Sequence, residues 1–174
     1  MSMPAVKPYA ARQLFEIRQA TEEDINAITE PGGIGTEFYN ESEFPNFATL
    51  DLECLRRVTL RNIEYGELCV LAGLYKGELT GFVMFSVARH YTVEPLAQLF
   101  LFFVSKRRRM GPLGRALLMG AEQVARDAGA VAFYAGATAN MGGGIDERLM
   151  NLLDKRGYMR LGGVARKLLQ ESEE

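Results

Sequence analysis

Residues 99–118 read LFLFFVSKRRRMGPLGRALL, an apolar run followed at once by a basic, glycine-containing turn and then by an amphipathic pattern. The run from Leu99 to Val104 has the length and composition of a strand that is buried on both faces. A helical pattern begins at Leu113, directly after the turn. Because a helix N-terminus presents unpaired backbone N–H groups and a positive dipole end, this order predicts an anion site where the strand stops.

Length and composition indicate a single soluble domain. The chain has 174 residues, of which 48% are hydrophobic and 24% charged, as is ordinary for a globular protein. We expect a flexible arm over residues 1–12, one domain over 13–170 and an acidic tail over 171–174. The net charge of -2 disfavours a surface built for nucleic acid. The absence of a signal-peptide pattern and of a long uncharged apolar segment predicts a cytoplasmic protein with no membrane partner.

The sequence contains few cysteine and histidine residues that could bind a metal. Cys54 and Cys69 lie far apart in apolar contexts, and His90 is the only histidine that could join them. We interpret both cysteines as buried thiols in a reducing compartment and predict no metal site.

The N-terminal half predicts a strand followed by helices. Residues 14–18 alternate between apolar and polar side chains, and Thr21 to Asp24 has the pattern of a capping box that opens a helix. The segment 31–45 is rich in glycine, proline and aromatic residues, so we interpret it as a loop. Apolar spacing over residues 50–63 predicts a second helix.

The remaining pattern predicts a mixed sheet. Two strands at Leu68–Leu74 and Leu79–Ala88 flank a glycine-containing turn and indicate an antiparallel hairpin. The later strand-helix-strand unit implies a right-handed parallel crossover. Another helix is expected around Ile145–Lys155 and final strand material over Tyr158–Leu169. The order β-α-α-β-β-β-α-β-α-β predicts a three-layer α/β fold, with a mixed, mostly antiparallel central sheet and helices on both faces.

The turn does not match the common nucleotide motifs. A phosphate-binding loop for nucleoside triphosphates needs lysine followed by serine or threonine at the helix start, but residues 110–115 read MGPLGR. A dinucleotide turn follows the first strand of a parallel sheet, whereas this turn follows a hairpin. A pyrophosphate held by backbone N–H groups and arginines, without a metal, is the remaining ligand class.

At these residues the chain resembles the GNAT family of acyl-CoA-dependent acetyltransferases. In that family the fourth strand leads into an Arg/Gln-x-x-Gly-x-Gly/Ala turn that holds the CoA pyrophosphate, and Arg109–Gly114 is the best alignment here. Pro112 then stands at the first motif glycine; an alternative register uses Arg108 and Gly111 in a turn one residue longer. A second segment, Leu152–Tyr158, resembles the family's Leu-Tyr-x-Lys-x-Gly-Phe motif. The resemblance covers roughly residues 14–169.

The resemblance implies acetyl-CoA as cosubstrate and assigns it to the strand end and the turn. Asn140 resembles the asparagine that contacts the pantetheine arm in many members. Backbone N–H groups near Val104 would polarise the thioester carbonyl. The implied cofactor-binding residues are Phe102, Phe103, Val104, Arg109, Met110, Gly111, Leu113, Gly114, Arg115 and Asn140.

Acetyl transfer to an amine also needs a group that removes a proton. Family members often place a glutamate at the start of the fourth strand, where this chain has Gln98. Glu94 and His90 lie just upstream and are the candidate catalytic residues. Leu153 occupies the position of the family's proton-donating tyrosine. The nearby phenols are Tyr134 and Tyr158, for which a structural role is the stronger interpretation.

The residues and the resemblance together predict an N-acetyltransferase that moves an acetyl group from acetyl-CoA to a primary amine by direct attack. The acceptor, an amine-bearing small molecule or peptide, stays open, as does the oligomeric state, for which a homodimer is one expectation. The alternative is a catalytically degenerate acyl-CoA-binding or protein-interaction domain. A nucleic-acid-binding module that uses Arg107–Arg109 is less favoured.

Overall fold

The computed structural model of the chain describes residues 15–89, 91–137, 139–141 and 144–161. The elements in chain order are β1 (Phe15–Gln19), α1 (Glu22–Thr29), α2 (Ile34–Glu41), a 3-10 turn (Phe44–Asn46), α3 (Leu52–Glu64), β2 (Cys69–Tyr75), β3 (Glu78–Ala88), β4 (Leu96–Val104), α4 (Leu113–Asp127), β5 (Ala132–Tyr134) and α5 (Ile145–Lys155). One compact unit comprises the described residues up to Phe38 with Asp51–Ala135. The other comprises Tyr39–Leu50 with the described residues from Gly136 onward.

The first unit contains a five-stranded sheet in the order β1-β2-β3-β4-β5. The first four strands pair antiparallel, and β5 pairs parallel to β4. The predicted hairpin is confirmed: β2 and β3 pair at Tyr75 and Glu78, and the two residues between them, Lys76 and Gly77, have positive φ angles of 51° and 83°. The predicted parallel crossover through α4 is also confirmed. The fold is therefore the mixed α/β architecture that the sequence predicts.

Helix α4 packs closely on one face of the sheet. Its buried side chains Leu113, Leu117, Ala121 and Val124 belong to the main apolar cluster. Close approach requires a glycine on β3, because a Cβ at Gly81 would lie 2.9 Å from the Leu117 Cδ1 atom and 3.1 Å from a backbone oxygen. The small residues on both surfaces thus fix the position of the helix over the strands.

The opposite face of the sheet is covered by aromatic packing from α2. Because side chains alternate along a strand, Phe103 points away from the face that α4 covers. Its ring centroid lies 5.7 Å from that of Phe38 in an edge-to-face arrangement and 6.2 Å from that of Phe82. Both faces of the sheet therefore carry helices, as predicted.

The interpretation of residues 31–45 as a loop is wrong over α2. Ile34 and Phe38 are one helical turn apart and are 7% and 8% exposed, so the segment has a short buried face. Of the prolines and glycines that suggested a loop, Gly35 lies in the first turn of the helix and the others border it. The strand expected over residues 158–169 is not present in Tyr158–Leu161, and the rest of that range lies outside the described residues.

Helix α1 begins with the predicted capping box. The Thr21 backbone N–H and hydroxyl donate to the Asp24 carboxylate at 2.7 and 2.9 Å, and the Asp24 N–H donates back to the Thr21 hydroxyl at 3.3 Å. Arg18 donates to both carboxylate oxygens of the buried Asp24. Burial opposes ionisation of this carboxyl, but the bonds from Arg18 and Thr21 outweigh it and hold its pKa below the ordinary value.

The cysteines differ in burial. Cys69 is buried, which raises the pKa of its thiol to about 12, whereas Cys54 is half-buried. The described residues include no group of three or more histidine, cysteine, aspartate or glutamate side chains that could hold a metal ion. Within the described chain, no helix has the length and apolar character needed to span a bilayer.

Candidate functional site

Strand β4 extends beyond β5, and within the described residues the rest of this edge is open. Strand β5 pairs with Leu96–Gln98 there, whereas β4 continues along β3 as far as Val104. The register with β3 shifts between Leu99 and Leu101, so Phe100 is the extra residue of a bulge and is 49% exposed. A bulge bends its strand and increases the local twist. The bend therefore falls just after the last pair that β4 shares with β5.

Backbone N–H groups line this open edge. The Ser105 N–H donates to the Thr80 carbonyl at 2.9 Å and thus faces β3. Because successive N–H groups point to opposite edges of a strand, those of Phe102 and Val104 face the edge that β5 leaves uncovered. The Val104 carbonyl on the same edge accepts from the Nε atom of Arg109 at 3.0 Å.

Residues 105–112, which we call the β4–α4 turn, are held by their own backbone and by β2. The Arg108 N–H donates to the Ser105 carbonyl at 2.8 Å, and the Gly111 N–H donates to the Arg108 carbonyl at 3.0 Å. The Arg108 guanidinium lies 3.5 Å from the ring centroid of Tyr75, within the range of a cation–π interaction. The turn is thus anchored before any ligand binds.

Helix α4 begins without a side-chain cap. Pro112 is its N-cap residue and has no polar side chain, and the first turn contains no acidic residue. The Ala116 N–H donates to the Pro112 carbonyl at 3.0 Å, so the N–H groups of Leu113, Gly114 and Arg115 precede the first bond within the helix. These donors and the helix dipole are the features that an anion site requires, and anion binding there stays a prediction.

Several predicted cofactor residues have buried side chains. Phe103, Val104 and Leu113 are 2%, 5% and 3% exposed, so their side chains are not available to a ligand. Phe102 is half-buried, and a Cβ at Gly114 would lie 3.5 Å from its ring. Strand β4 and the start of α4 are therefore in close contact at the site.

The remaining residues of the turn present an exposed, basic surface. Met110 is 84% exposed, and Arg107, Gly111 and Arg115 are also exposed. Arg109 is half-buried instead: its guanidinium carbon lies 5.2 Å from the Phe103 ring centroid while its Nε atom bonds the strand carbonyl. The sequence did not predict that Arg109 bonds the end of β4, because a run of three arginines does not indicate which side chain contacts the strand.

In the second unit, Asn140 has a left-handed backbone with φ of 46°. Its side-chain amide donates to the Glu43 carboxylate, and the Glu43 N–H donates to the Ala139 carbonyl at 3.2 Å. A contact between Asn140 and pantetheine stays a prediction. Leu153 is 1% exposed on α5 and has no titratable proton.

The candidate bases lie before β4. Glu94 is exposed in the segment Tyr91–Pro95, and its carbonyl accepts from the Thr92 hydroxyl at 2.7 Å. His90 lies outside the described residues. The catalytic roles of both stay predictions. Gln98 is exposed and pairs with Tyr134, which is 47% exposed, at the last shared position of β4 and β5.

Sequence reasoning missed Glu37, which lies on α2 and bonds the start of the turn. Its carboxylate accepts from the Ser105 hydroxyl and the Lys106 N–H. A helical pattern around Phe38 would have been the signal, but the surrounding glycines and prolines favoured a loop.

A known family matches the part of the chain that contains the open strand edge, the bulge and the start of α4. The model of the acetyltransferase (GNAT) family matches residues 35–142. The chain belongs to this GNAT family. The predicted resemblance is therefore confirmed, and the family uses acetyl-CoA as its acetyl donor. Among curated proteins, no sequence matches this GNAT chain significantly.

Solved structures share the GNAT fold over nearly the whole chain. An acetyltransferase of Trypanosoma brucei is 16% identical with a TM-score of 0.67, over 89% of this chain and 99% of that one. An aminoglycoside acetyltransferase from an uncultured soil metagenomic sample, in complex with sisomicin, is 17% identical with a TM-score of 0.67, over 91% and 97%. Glucosamine-6-phosphate N-acetyltransferase of Arabidopsis thaliana is 12% identical with a TM-score of 0.63, over 90% and 99%. At these identities the likeness shows the shared fold.

Proposed function

We propose that this GNAT protein transfers the acetyl group of acetyl-CoA to a primary amine by direct attack, in the opening between β4 and β5. The observation that carries the proposal is the open edge of β4 beside the uncapped start of α4. Family membership supports acetyl-CoA as the donor. Two of the structural neighbours are named for acceptors that carry amines, an aminoglycoside and glucosamine-6-phosphate.

The pyrophosphate of CoA matches the start of α4, and its pantetheine arm matches the open edge of β4. The pyrophosphate is an anion, and it binds the N–H groups of Leu113, Gly114 and Arg115 in the field of the exposed Arg107. The pantetheine arm carries amide groups, which pair with an uncovered strand edge as an added strand does. We place it along the N–H groups of Val104 and Phe102.

The transfer step forms a C–N bond and breaks a C–S bond. The lone pair of the acceptor nitrogen attacks the thioester carbonyl carbon, and the sulfur leaves as the CoA thiolate. A backbone N–H on the open edge, at Val104 or Phe102, stabilises the oxyanion that develops. A thiolate is a tolerable leaving group near neutral pH, so the reaction does not require the tyrosine that Leu153 replaces.

A free amine is needed for attack, because a protonated amine has no lone pair. We propose that Glu94, acting through water, accepts the proton that the ammonium form of the acceptor must lose. As the C–N bond forms, the nitrogen loses a second proton to water, and the CoA thiolate takes up a proton from solvent. Glu94 is exposed and lies two residues before β4. His90 is the alternative base. The acceptor is an amine-bearing small molecule or peptide.

The test combines CoA binding with acetyl transfer. We expect CoA to raise the melting temperature of the purified protein, because a ligand that binds only the folded state stabilises it. With acetyl-CoA, release of free thiol should depend on an added amine from a panel of amino sugars, aminoglycosides and lysine peptides. Mass spectrometry should show the acetylated amine.

Two results would contradict the proposal. Absence of thermal stabilisation at millimolar CoA would exclude both catalysis and acyl-CoA binding. Stabilisation without transfer to any amine would instead favour the catalytically degenerate acyl-CoA-binding domain, which the buried Leu153 and the neutral Gln98 support. Within an active reaction, Glu94→Gln should lower turnover while Glu67→Gln, an exposed glutamate before β2, serves as the matched control.

A further inference from the structure

Glu37 joins α2 to the point where β4 ends. One oxygen of its carboxylate, Oε1, accepts from the Ser105 hydroxyl at 3.0 Å and from the Lys106 backbone N–H at 2.9 Å. Ser105 is 8% exposed, so its hydroxyl is largely removed from water. The next residue of α2, Phe38, packs edge-to-face on Phe103. A packed helix therefore holds this carboxylate against the strand end.

The position of these two bonds is significant for the β4–α4 turn. The ladder between β3 and β4 ends at the Ser105 N–H, which donates to the Thr80 carbonyl. Lys106, an exposed residue, supplies the first backbone donor beyond that ladder, and its N–H bonds Glu37 rather than a carbonyl of the sheet. This side-chain acceptor directs the chain as it leaves the sheet.

We propose that Glu37 is a positioning residue for CoA binding: it holds the start of the β4–α4 turn so that the first N–H groups of α4 meet the pyrophosphate. The inference rests on the proposed function. The negative charge of Glu37 does not itself favour an anionic ligand nearby. Its contribution is the acceptor oxygen, which a glutamine side chain also has.

Two substitutions can distinguish the charge of Glu37 from its acceptor oxygen. Glu37→Gln keeps an acceptor for Ser105 and Lys106 and removes the charge, whereas Glu37→Ala removes both bonds. Because Glu37→Ala removes both bonds that hold the start of the turn, we expect it to raise the Kd for CoA about tenfold. We expect Glu37→Gln to stay within about twofold of the wild type. Asn40→Ala, an exposed position on the same helix, controls for changes in helix stability.

The experiment measures CoA binding by calorimetry and amide hydrogen exchange at Lys106 without ligand. Support requires weaker CoA binding and faster Lys106 exchange in Glu37→Ala, with both restored in Glu37→Gln and unchanged in Asn40→Ala. Equal losses in the alanine and glutamine variants would overturn the inference, because charge rather than the acceptor would then matter.

Hydrogen exchange keeps this inference separate from the proposed function. If the wild type binds no CoA, the proposed function fails, and the exchange rates then decide whether Glu37 holds the turn. Unchanged Lys106 exchange in a folded Glu37→Ala variant overturns the positioning role whether or not CoA binds. Thermal unfolding of each variant confirms that it is folded.

Discussion

Helices α1 and α4 both begin at the end of a strand, but their N-termini differ in how the first N–H groups are used. At α1, Thr21 and Asp24 form a capping box, and the first turn contains three acidic residues. At α4, Pro112 provides no side-chain cap, and the first turn has no acidic residue. The comparison shows that side chains satisfy the positive end of α1, whereas α4 has no such cap, and we propose that an anionic ligand binds there.

Removing the cap of α1 should have the largest effect. We expect Asp24→Ala to lower the free energy of unfolding by about 2 to 3 kcal/mol, because it removes a buried acceptor shared by Arg18 and Thr21. For a chain of this size the melting temperature should fall by about 5 °C or more. Thermal or urea unfolding measures the change. The Kd for CoA, measured at a temperature where the variant is folded, should stay unchanged.

The pH dependence of this effect follows from the lowered pKa of Asp24 in the folded state. The ionised carboxylate contributes its stability above the unfolded-state pKa of about 4 and loses it as the pH falls through the lower folded-state value. The difference between wild type and Asp24→Ala should therefore shrink below about pH 4. Glu23→Gln, an exposed change in the same turn, should cost little at any pH. A difference that stays constant down to acid pH would show that packing, not ionisation, sets the loss.

Making α4 resemble α1 should have the next largest effect. In Pro112→Asp the new side chain can cap the N–H groups of Gly114 or Arg115 and places a negative charge at the proposed pyrophosphate site. We expect the Kd for CoA to rise by about tenfold or more, a change of about 1.4 kcal/mol or more. Calorimetric titration with CoA measures it.

The matched variant is Pro112→Asn, which can cap the helix but carries no charge. Its Kd for CoA should rise less than that of the aspartate variant, and the gap between the two should narrow at high salt because screening weakens the charge term. Unaltered CoA affinity in both variants would show that the ligand does not use the start of α4.

The fold was predictable from the sequence where one strong local pattern dominated. The run Leu99–Val104 and the hairpin strands before it are apolar and of strand length, Leu113, Leu117 and Val124 have helical spacing, and the strand pairing followed from chain order. The helix at Ile34–Glu41 was missed because it is short and bordered by breakers, and its buried face depends on contacts with Phe103. Tertiary packing there overrides local propensity.

The order of strand, turn and helix at the candidate site was predictable from the sequence, whereas its side-chain bonds were not. This order indicated an anion site. The residue types also show that α1 has a capping box and that α4 begins with a proline, which has no capping side chain. The partners of Arg109 and Glu37 could not be predicted from residue types, because Glu37 contacts residues almost seventy positions away. Long-range side-chain bonds leave no periodic signal in a sequence.

The smallest expected effect addresses the register of the turn. Proline has no backbone N–H, so Pro112→Ala adds one donor at the N-cap of α4, at a φ of -75° and ψ of -5° that alanine adopts without strain. If Arg109–Gly114 is the pyrophosphate motif, this N–H faces the ligand, and we expect the Kd for CoA to fall about twofold to threefold. The same variant should lose about 0.4 to 1 kcal/mol of stability, because its unfolded state gains conformational freedom. If the Kd for CoA is unchanged while the stability falls, this register is wrong and the longer turn built on Arg108 and Gly111 is favoured.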